Sequence, residues 1–399
     1  MTNVHGRVLR RWGAPRVRTS WWARLGVAVA AASSIVVAAG PPGAAAQVPP
    51  STAFFVGTDG TVATYGQAAD GSRSNAVALT PSGIAPAGTP VATARIPNGA
   101  AIVAVVGKDG ALNVGSCPAN PTGLSPVTGP GIAGAGAPVA VAVGGGHVWL
   151  GVEDKPHSLI MNVEEASNPC GPFPIPLPHV TATWLATGAA ITATGLADGR
   201  VGVFSVDTAG AVHALWVSPN GQATSSTLTP AGTATPGSGI AVTPASGASA
   251  TPGALSLFYT GHDGRIYLAH PVPGGGLTGD PEPHPWAPTA SQNGPPLAAA
   301  TGPLGTVVSY VATDGTVTAD LVDPNGQWQA TIAATGPGFA AAGASTGVIY
   351  NATEVDIYCG NSSGRPGTIV VNPHVGGPGT WFPSGPPNKV GATTSFAAS

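Results

Sequence analysis

The chain has 399 residues, only 8% of them charged, with 59 glycines and 42 prolines. Fourteen Lys and Arg against seventeen Asp and Glu give a formal charge of −3, so no basic excess supports a nucleic-acid or anionic-membrane partner. Gly and Pro at this density ordinarily signal disorder, but here apolar runs lie between the turns, and nearly every window long enough for an amphipathic helix is interrupted.

At the amino end, Arg7, Arg10, Arg11, Arg16, Arg18 and Arg24 precede an apolar run from Leu25 to Ala39, short for a membrane span of about 20 residues. Ala44-Ala45-Ala46 before Gln47 is a small-residue cleavage pattern. We read 1–46 as a secretory signal peptide, 47–52 as a short linker and 53–399 as one folded domain. The expected product is secreted, extracellular or associated with the cell wall, with no membrane span after cleavage. An uncleaved anchor is the alternative. Arg10-Arg11 is followed by Trp12-Gly13-Ala14, which fits a twin-arginine export signal poorly. Without the leader, eight basic residues face seventeen acidic ones, a formal −9.

From Ala53 onward one pattern recurs. AFFVGTDGTVATY runs from Ala53 to Tyr65 and IVAVVGKDGALNV from Ile102 to Val114. ALSLFYTGHDGRIYLAH follows from Ala254 to His270, and VVSYVATDGTVTADL from Val307 to Leu321. Each is an apolar run, a turn (Asp59, Asp109, Asp263 or Asp314, then Gly) and a second run, which predicts a β-hairpin whose turn needs φ > 0. Short rows of small residues also recur, at Val91–Ala94, Val139–Ala142, Ala190–Ala193, Ile240–Thr243, Leu297–Ala300, Phe339–Ala342 and Val390–Thr393. Their spacing near fifty residues, with four strands per unit, predicts a β-propeller. Small side chains suit innermost strands that crowd an axis, and Phe, Tyr and Trp suit the wider outer part.

Second-to-third-strand turns are expected near Asp59, Asp109, Asp154, Asp207, Asp263, Asp314 and Glu354. Pro219-Asn220-Gly221 and Pro324-Asn325-Gly326 are expected between third and fourth strands, with Asp70-Gly71 as their counterpart in the first unit. The predicted architecture is all-β: a seven-bladed propeller of four-stranded blades. Its first unit lacks an innermost strand, which Val390–Phe396 is expected to supply, closing the ring with the C-terminal strand.

Several motif matches fail in context. Gly129-Pro130-Gly131-Ile132-Ala133-Gly134 fits G-x-G-x-x-G, but no helix follows it, so no dinucleotide site is read there. Gly343-Ala344-Ser345-Thr346-Gly347 fits a nucleophile elbow, yet it leads into the strand-like Val348-Ile349-Tyr350. The single Asp in each Asp-Gly turn is explained by turn chemistry, since a calcium loop needs several oxygen ligands at alternate positions. Glu164-Glu165 reads as a solvated edge, and His147, His179 and His213 as isolated strand residues. No catalytic residue, cofactor or metal is assigned.

The most chemically loaded segment is Asp280-Pro281-Glu282-Pro283-His284-Pro285-Trp286. Asp280, Glu282, His284 and Trp286 are the candidate ligand-binding set, with a sugar ring stacking on Trp286; the alternative is a solvated inter-blade loop stiffened by proline. Of the three cysteines, Cys117 and Cys170 are the pair placed to form a disulfide at outer edges of consecutive units, leaving Cys359. No pairing at all is the alternative.

The units FYTGHDGRIY and VSYVATDGTV resemble the repeats of bacterial secreted β-propellers, including propeller lectins with Asp-Gly hairpins, over residues 50 to 399. The Gly-His and Trp-Asp pairs of WD repeats, the sialidase box and the paired glycines of kelch repeats are missing, so no family site residue is carried over. The function expected is that of an exported non-catalytic binder of carbohydrate or a cell-surface component, using loops and the avidity of repeated blades. One alternative is a glycoside hydrolase or lyase acting in the central pocket. It needs acids or histidines on the axis, where the innermost rows offer Ala, Val, Thr and Gly, with Arg95 the charged exception. The other is a structural or protein-binding propeller.

Overall fold

The Asp-Gly turns close their hairpins as the sequence dictates. Gly60, Gly110, Gly264 and Gly315 have φ of 76°, 76°, 77° and 81°. The Asp before each accepts a hydrogen bond from the amide two residues on, at 2.9 to 3.0 Å. A side chain at Gly60 would also overlap the carbonyl of Ala85, because the turn docks against the linker to the next unit. Ala85, Ala133, Ala234 and Ala340 each donate their amide to the carbonyl of a turn glycine, Gly60, Gly110, Gly210 and Gly315.

The structure, a computed structural model, describes residues 51–399 apart from 69–71, 97–98, 116–122, 154–158, 166–181, 183, 186–187, 246–253, 286–295, 352–353, 387–388, 391–393, 395 and 399, with 159–165 in backbone only. All described residues belong to one unit, Gln47–Ser399.

The chain winds seven antiparallel sheets in succession. The first holds β1 (Ser51–Val56), β2 (Val62–Gln67) and β3 (Val77–Ala78). The second holds β4 (Val91–Arg95), β5 (Ala101–Val106), β6 (Leu112–Gly115) and β7 (Ser125–Pro126). The third is β8 (Val139–Gly144), β9 (His147–Glu153) and β10 (Leu159–Glu165). The fourth is β11 (Ile191–Gly195), β12 (Val201–Val206), β13 (Val212–Val217) and β14 (Ala223–Thr227). The fifth is β15 (Ile240–Pro244), β16 (Leu255–Thr260), β17 (Ile266–Ala269) and β18 (Glu282–Pro283). The sixth is β19 (Ala298–Gly302), β20 (Gly305–Val311), β21 (Val317–Val322) and β22 (Trp328–Ala333). The seventh is β23 (Gly347–Tyr350), β24 (Val355–Gly360), β25 (Pro366–Val371) and β26 (Thr380–Pro383). Finally β27 (Phe396–Ala398) returns to the first sheet and pairs with β1, setting Phe396 opposite Phe55. The innermost strands touch in the cyclic order β27, β4, β8, β11, β15, β19, β23 and back to β27. The sheets are therefore blades of a β-propeller.

Four expectations need correction. The propeller does not consist of seven four-stranded blades: six sheets are four-stranded, and β8–β10 forms a three-stranded sheet among the described residues. The closing strand is Phe396–Ala398 rather than Val390–Phe396. Lys389 and Val390 instead donate their amides to Gly364 in a turn. The row Phe339–Ala342 is not an innermost strand; it lies in the linker whose Ala340 docks on Gly315, and β23 starts later, at Gly347. Lastly, the turn at Glu354 joins the first and second strands of its sheet, while the second-to-third turn lies between β24 and β25, around Asn361. Asp70-Gly71 and Asp154 lie outside the described residues, whereas the Pro-Asn-Gly turns do join third to fourth strands.

Each blade has neighbours on both faces, which explains continuous apolar runs in place of alternation. Strands β12, β13, β16 and β24 are buried along their whole length, while outermost β14 is largely exposed. The core is divided among the seams between blades; Phe204 and Trp216 of the fourth, for example, pack against Leu257 and Tyr259 of the fifth. Among the described residues no helix is long and apolar enough to cross a membrane.

Candidate functional site

Two concave places are candidates. The first is the axial space of about 410 Å³, lined by Ala92, Thr93, Ala140, Thr192, Ala241, Ala299 and other innermost residues, none of them ionisable. General acid–base chemistry requires positioned titratable groups, and the described residues lining this wall offer mainly Ala, Val, Thr and Gly instead.

The second is a cleft of about 360 Å³ where the linker from the fourth to the fifth blade meets the outer part of the fifth. Tyr259 on β16 and Tyr267 on β17 lie opposite each other across the Asp263-Gly264 hairpin. Their rings stack with centroids 5.5 Å apart and planes 11° apart. Tyr267 donates its hydroxyl to Asp263 Oδ2 at 3.2 Å. The Tyr259 hydroxyl is buried and has no hydrogen-bond partner among the described residues. Burial first, then the neighbouring Tyr267 and Asp263, push the Tyr259 phenol well above its ordinary value. Thr229, Thr233 and Leu277 line the cleft, and exposed Asp280 stands at its edge with Pro281. An aromatic pair beside hydroxyls and a carboxylate offers an apolar face and hydrogen-bond acceptors together, the mixture that small-molecule pockets use.

The structure separates the four sequence-predicted site residues. Asp280 lines the cleft, and Glu282 on β18 is exposed. Instead of standing on a solvated rim, His284 is 1% exposed, because its ring is turned into the seam between the fifth and sixth blades against Trp328, at 4.3 Å. Trp286, Cys117 and Cys170 lie outside the described residues, and Cys359 is a buried free thiol.

Three seam residues escaped the sequence reading. His213 is paired rather than isolated: its Nε2 lies 2.8 Å from Asp207 Oδ2, and its ring stacks on Trp184 at 4.7 Å. Asp320 is fully buried near His284. Asp356, also buried, binds Arg73 across the closing seam at 3.0 Å. The alternation of Thr318 and Asp320 with apolar neighbours marks one polar face of β21, a pattern that does not by itself separate solvent from a seam. No group of three or more metal-ligating side chains occurs among the described residues.

Several solved structures share this fold, two of the three that follow being lectins by name. The BP39L lectin from Burkholderia pseudomallei superposes with a TM-score of 0.73 at 21% identity, over 86% of this chain and 96% of that one. AofleA from Arthrobotrys oligospora gives 0.53 at 14% identity, covering 77% and 88%. The fucose-specific lectin from Aleuria aurantia gives 0.50 at 15%, covering 75% and 96%. Identities this low show a shared fold. The sequence matches no family model and no curated protein.

Proposed function

We propose that this chain is a non-catalytic carbohydrate-binding propeller, acting after export, which takes a neutral saccharide unit in the Tyr259–Tyr267 cleft. The observation that carries this is the stacked tyrosine pair with a free-standing carboxylate, Asp280, at its edge. The apolar side of a sugar ring would lie on the aromatic surface, and its hydroxyls would donate to Asp280. The likeness to the BP39L lectin supports the class of ligand, and the neutral wall of the axial space argues for a role without turnover.

A glycan array, followed by calorimetric titration of the best glycan found, tests the reading. Asp280→Asn alters an exposed residue, so melting should be unchanged while affinity falls about tenfold, or 1.4 kcal/mol. Tyr267→Ala should lose binding and Tyr267→Phe should retain it, since the ring supplies the contact. Trp286→Ala, probing the remaining predicted aromatic, should also weaken binding. An array without a hit, or Asp280→Asn and Tyr267→Ala binding as well as the parent, would sink the proposal.

A further inference from the structure

One short strand joins the cleft to a sealed polar cluster. Asp280 and Pro281 form part of the cleft; Glu282 and Pro283 pair with Leu268 and Tyr267; and His284 donates its amide to Ile266 at 2.8 Å while its ring enters the next seam. There the His284 Nε2 lies 3.6 Å from Asp320 Oδ1, both side chains with no exposure, and 3.2 Å from Thr331 Oγ1. Among the described residues, both Asp320 oxygens, the Tyr310 hydroxyl and Thr318 Oγ1 are buried without a well-aligned hydrogen bond, although Thr331 and Tyr310 lie close enough to act on the carboxylate. A fully buried carboxylate with no well-aligned donor and no cation beside it cannot remain ionised cheaply.

We infer that His284 and Asp320 form a neutral pair holding one proton between them, and that this pair positions the Asp280 side of the cleft through β18. The positioning half extends the proposed saccharide site; the proton-holding half stands without it. Among the described residues, the groups facing the pair are Tyr310 from β20, Thr318 from β21, and Trp328 and Thr331 from β22. Of these only Tyr310 titrates, and burial, then Asp320, push it far above its ordinary value. Burial alone pulls the His284 imidazole down to about 4. Burial pushes the Asp320 carboxyl up to about 7, opposed by Thr331 and Tyr310.

The proton count gives the pair its character. In an unfolded chain, Asp titrates at about 3.9 and His at about 6.5, so between those values the two carry one proton. Folded, they also carry one, moved from His284 to Asp320. Folding therefore exchanges almost no proton with solvent, and the pair leaves stability nearly independent of pH across this range. Neither residue does so alone. With Asp320 removed, the depressed His284 loses stability as pH falls from about 6.5 to 4. With His284 removed, the raised Asp320 loses stability as pH rises from about 4 to 7.

The test compares melting of the parent, Asp320→Asn, His284→Gln and the double variant from pH 4.5 to 7.5. Relative to the parent, the single variants should show opposite slopes, each of roughly 5 °C over the range, and the double variant none. 3-Fluorotyrosine at position 267 reports on the cleft without any ligand: its fluorine resonance should move with pH in His284→Gln and stay fixed in the parent. Parallel or flat melting differences overturn the neutral pair. Opposite slopes with a fixed Tyr267 resonance overturn the positioning. An array without a hit overturns the saccharide reading alone.

Discussion

Arg73 shows how a single side chain can secure a seam. Its guanidinium reaches from the first blade to Asp356 of the seventh at 3.0 Å and lies over the Phe382 ring at 4.3 Å. Asn351 donates to the other carboxylate oxygen at 2.9 Å. Burial raises the Asp356 carboxyl to about 6, with Arg73 opposing that rise and Glu354 adding to it. Because the folded value exceeds the unfolded one, this group contributes most below pH 4 and loses stability as pH rises through 6. Arg73→Met removes the opposing charge. It should cost about 3 kcal/mol at pH 7.5 and distinctly less at pH 5, where Asp356 takes up a proton; denaturant unfolding at the two pH values measures both. A loss equal at both pH values would rule out the charge explanation. Nothing local in Ser-Arg-Ser or Val-Asp-Ile reveals this pair, since its members meet only when the ring closes. The exposure of Asp280 and Glu282, by contrast, follows from a proline-stiffened acidic segment, although His284 in the same segment turns into a seam.

The elements were legible in proportion to how locally they are determined. Hairpins announce themselves through Asp-Gly turns, and the Pro-Asn-Gly turns do so equally well. Innermost strands do so less reliably: the first five small-residue rows fall on β4, β8, β11, β15 and β19, but a row of Ala, Val and Thr also suits a tight linker. Phe339–Ala342 is such a linker, and the signal that separates the two was present: Gly-Phe-Ala at 338–340 repeats the setting of Gly-Ile-Ala at 83–85 and 131–133. The closing strand was displaced for the same reason. Phe396, the bulky residue at the edge of the predicted segment, is its anchor: its ring lies 5.5 Å from Phe55, and its amide donates to Ser345 Oγ at 2.9 Å. Ser345 in turn donates to the Thr394 carbonyl at 2.6 Å, so the false nucleophile elbow is a closure clasp. Phe396→Ala should cost about 3 to 5 kcal/mol. Deleting Phe396–Ala398 should leave β1 as a bare edge and cause aggregation on heating. Light scattering during a melt distinguishes that from a variant that merely melts earlier.

At the scale of the molecule, the seams carry the core while the axis carries almost no chemistry. Repetition made the propeller readable, yet the repeat conceals the cleft, because what differs between blades is a few seam positions. Tyr259 and Tyr267 occupy in the fifth blade the places that Tyr310 and Thr318 hold in the sixth, each pair lying opposite across its hairpin. One pair opens a cleft; the other, with Asp320 and His284, is sealed.

The clasp also sets a timetable. Thr394 donates to the Val56 carbonyl across 338 residues of sequence. At roughly 5 to 20 residues per second, the first sheet waits about 20 to 70 s after its outer strands emerge before its innermost strand is made. Throughout that interval Phe54 and Phe55 lie on an uncovered edge. The blade begun first is the blade finished last, and the nascent chain has to be held unaggregated until it is complete.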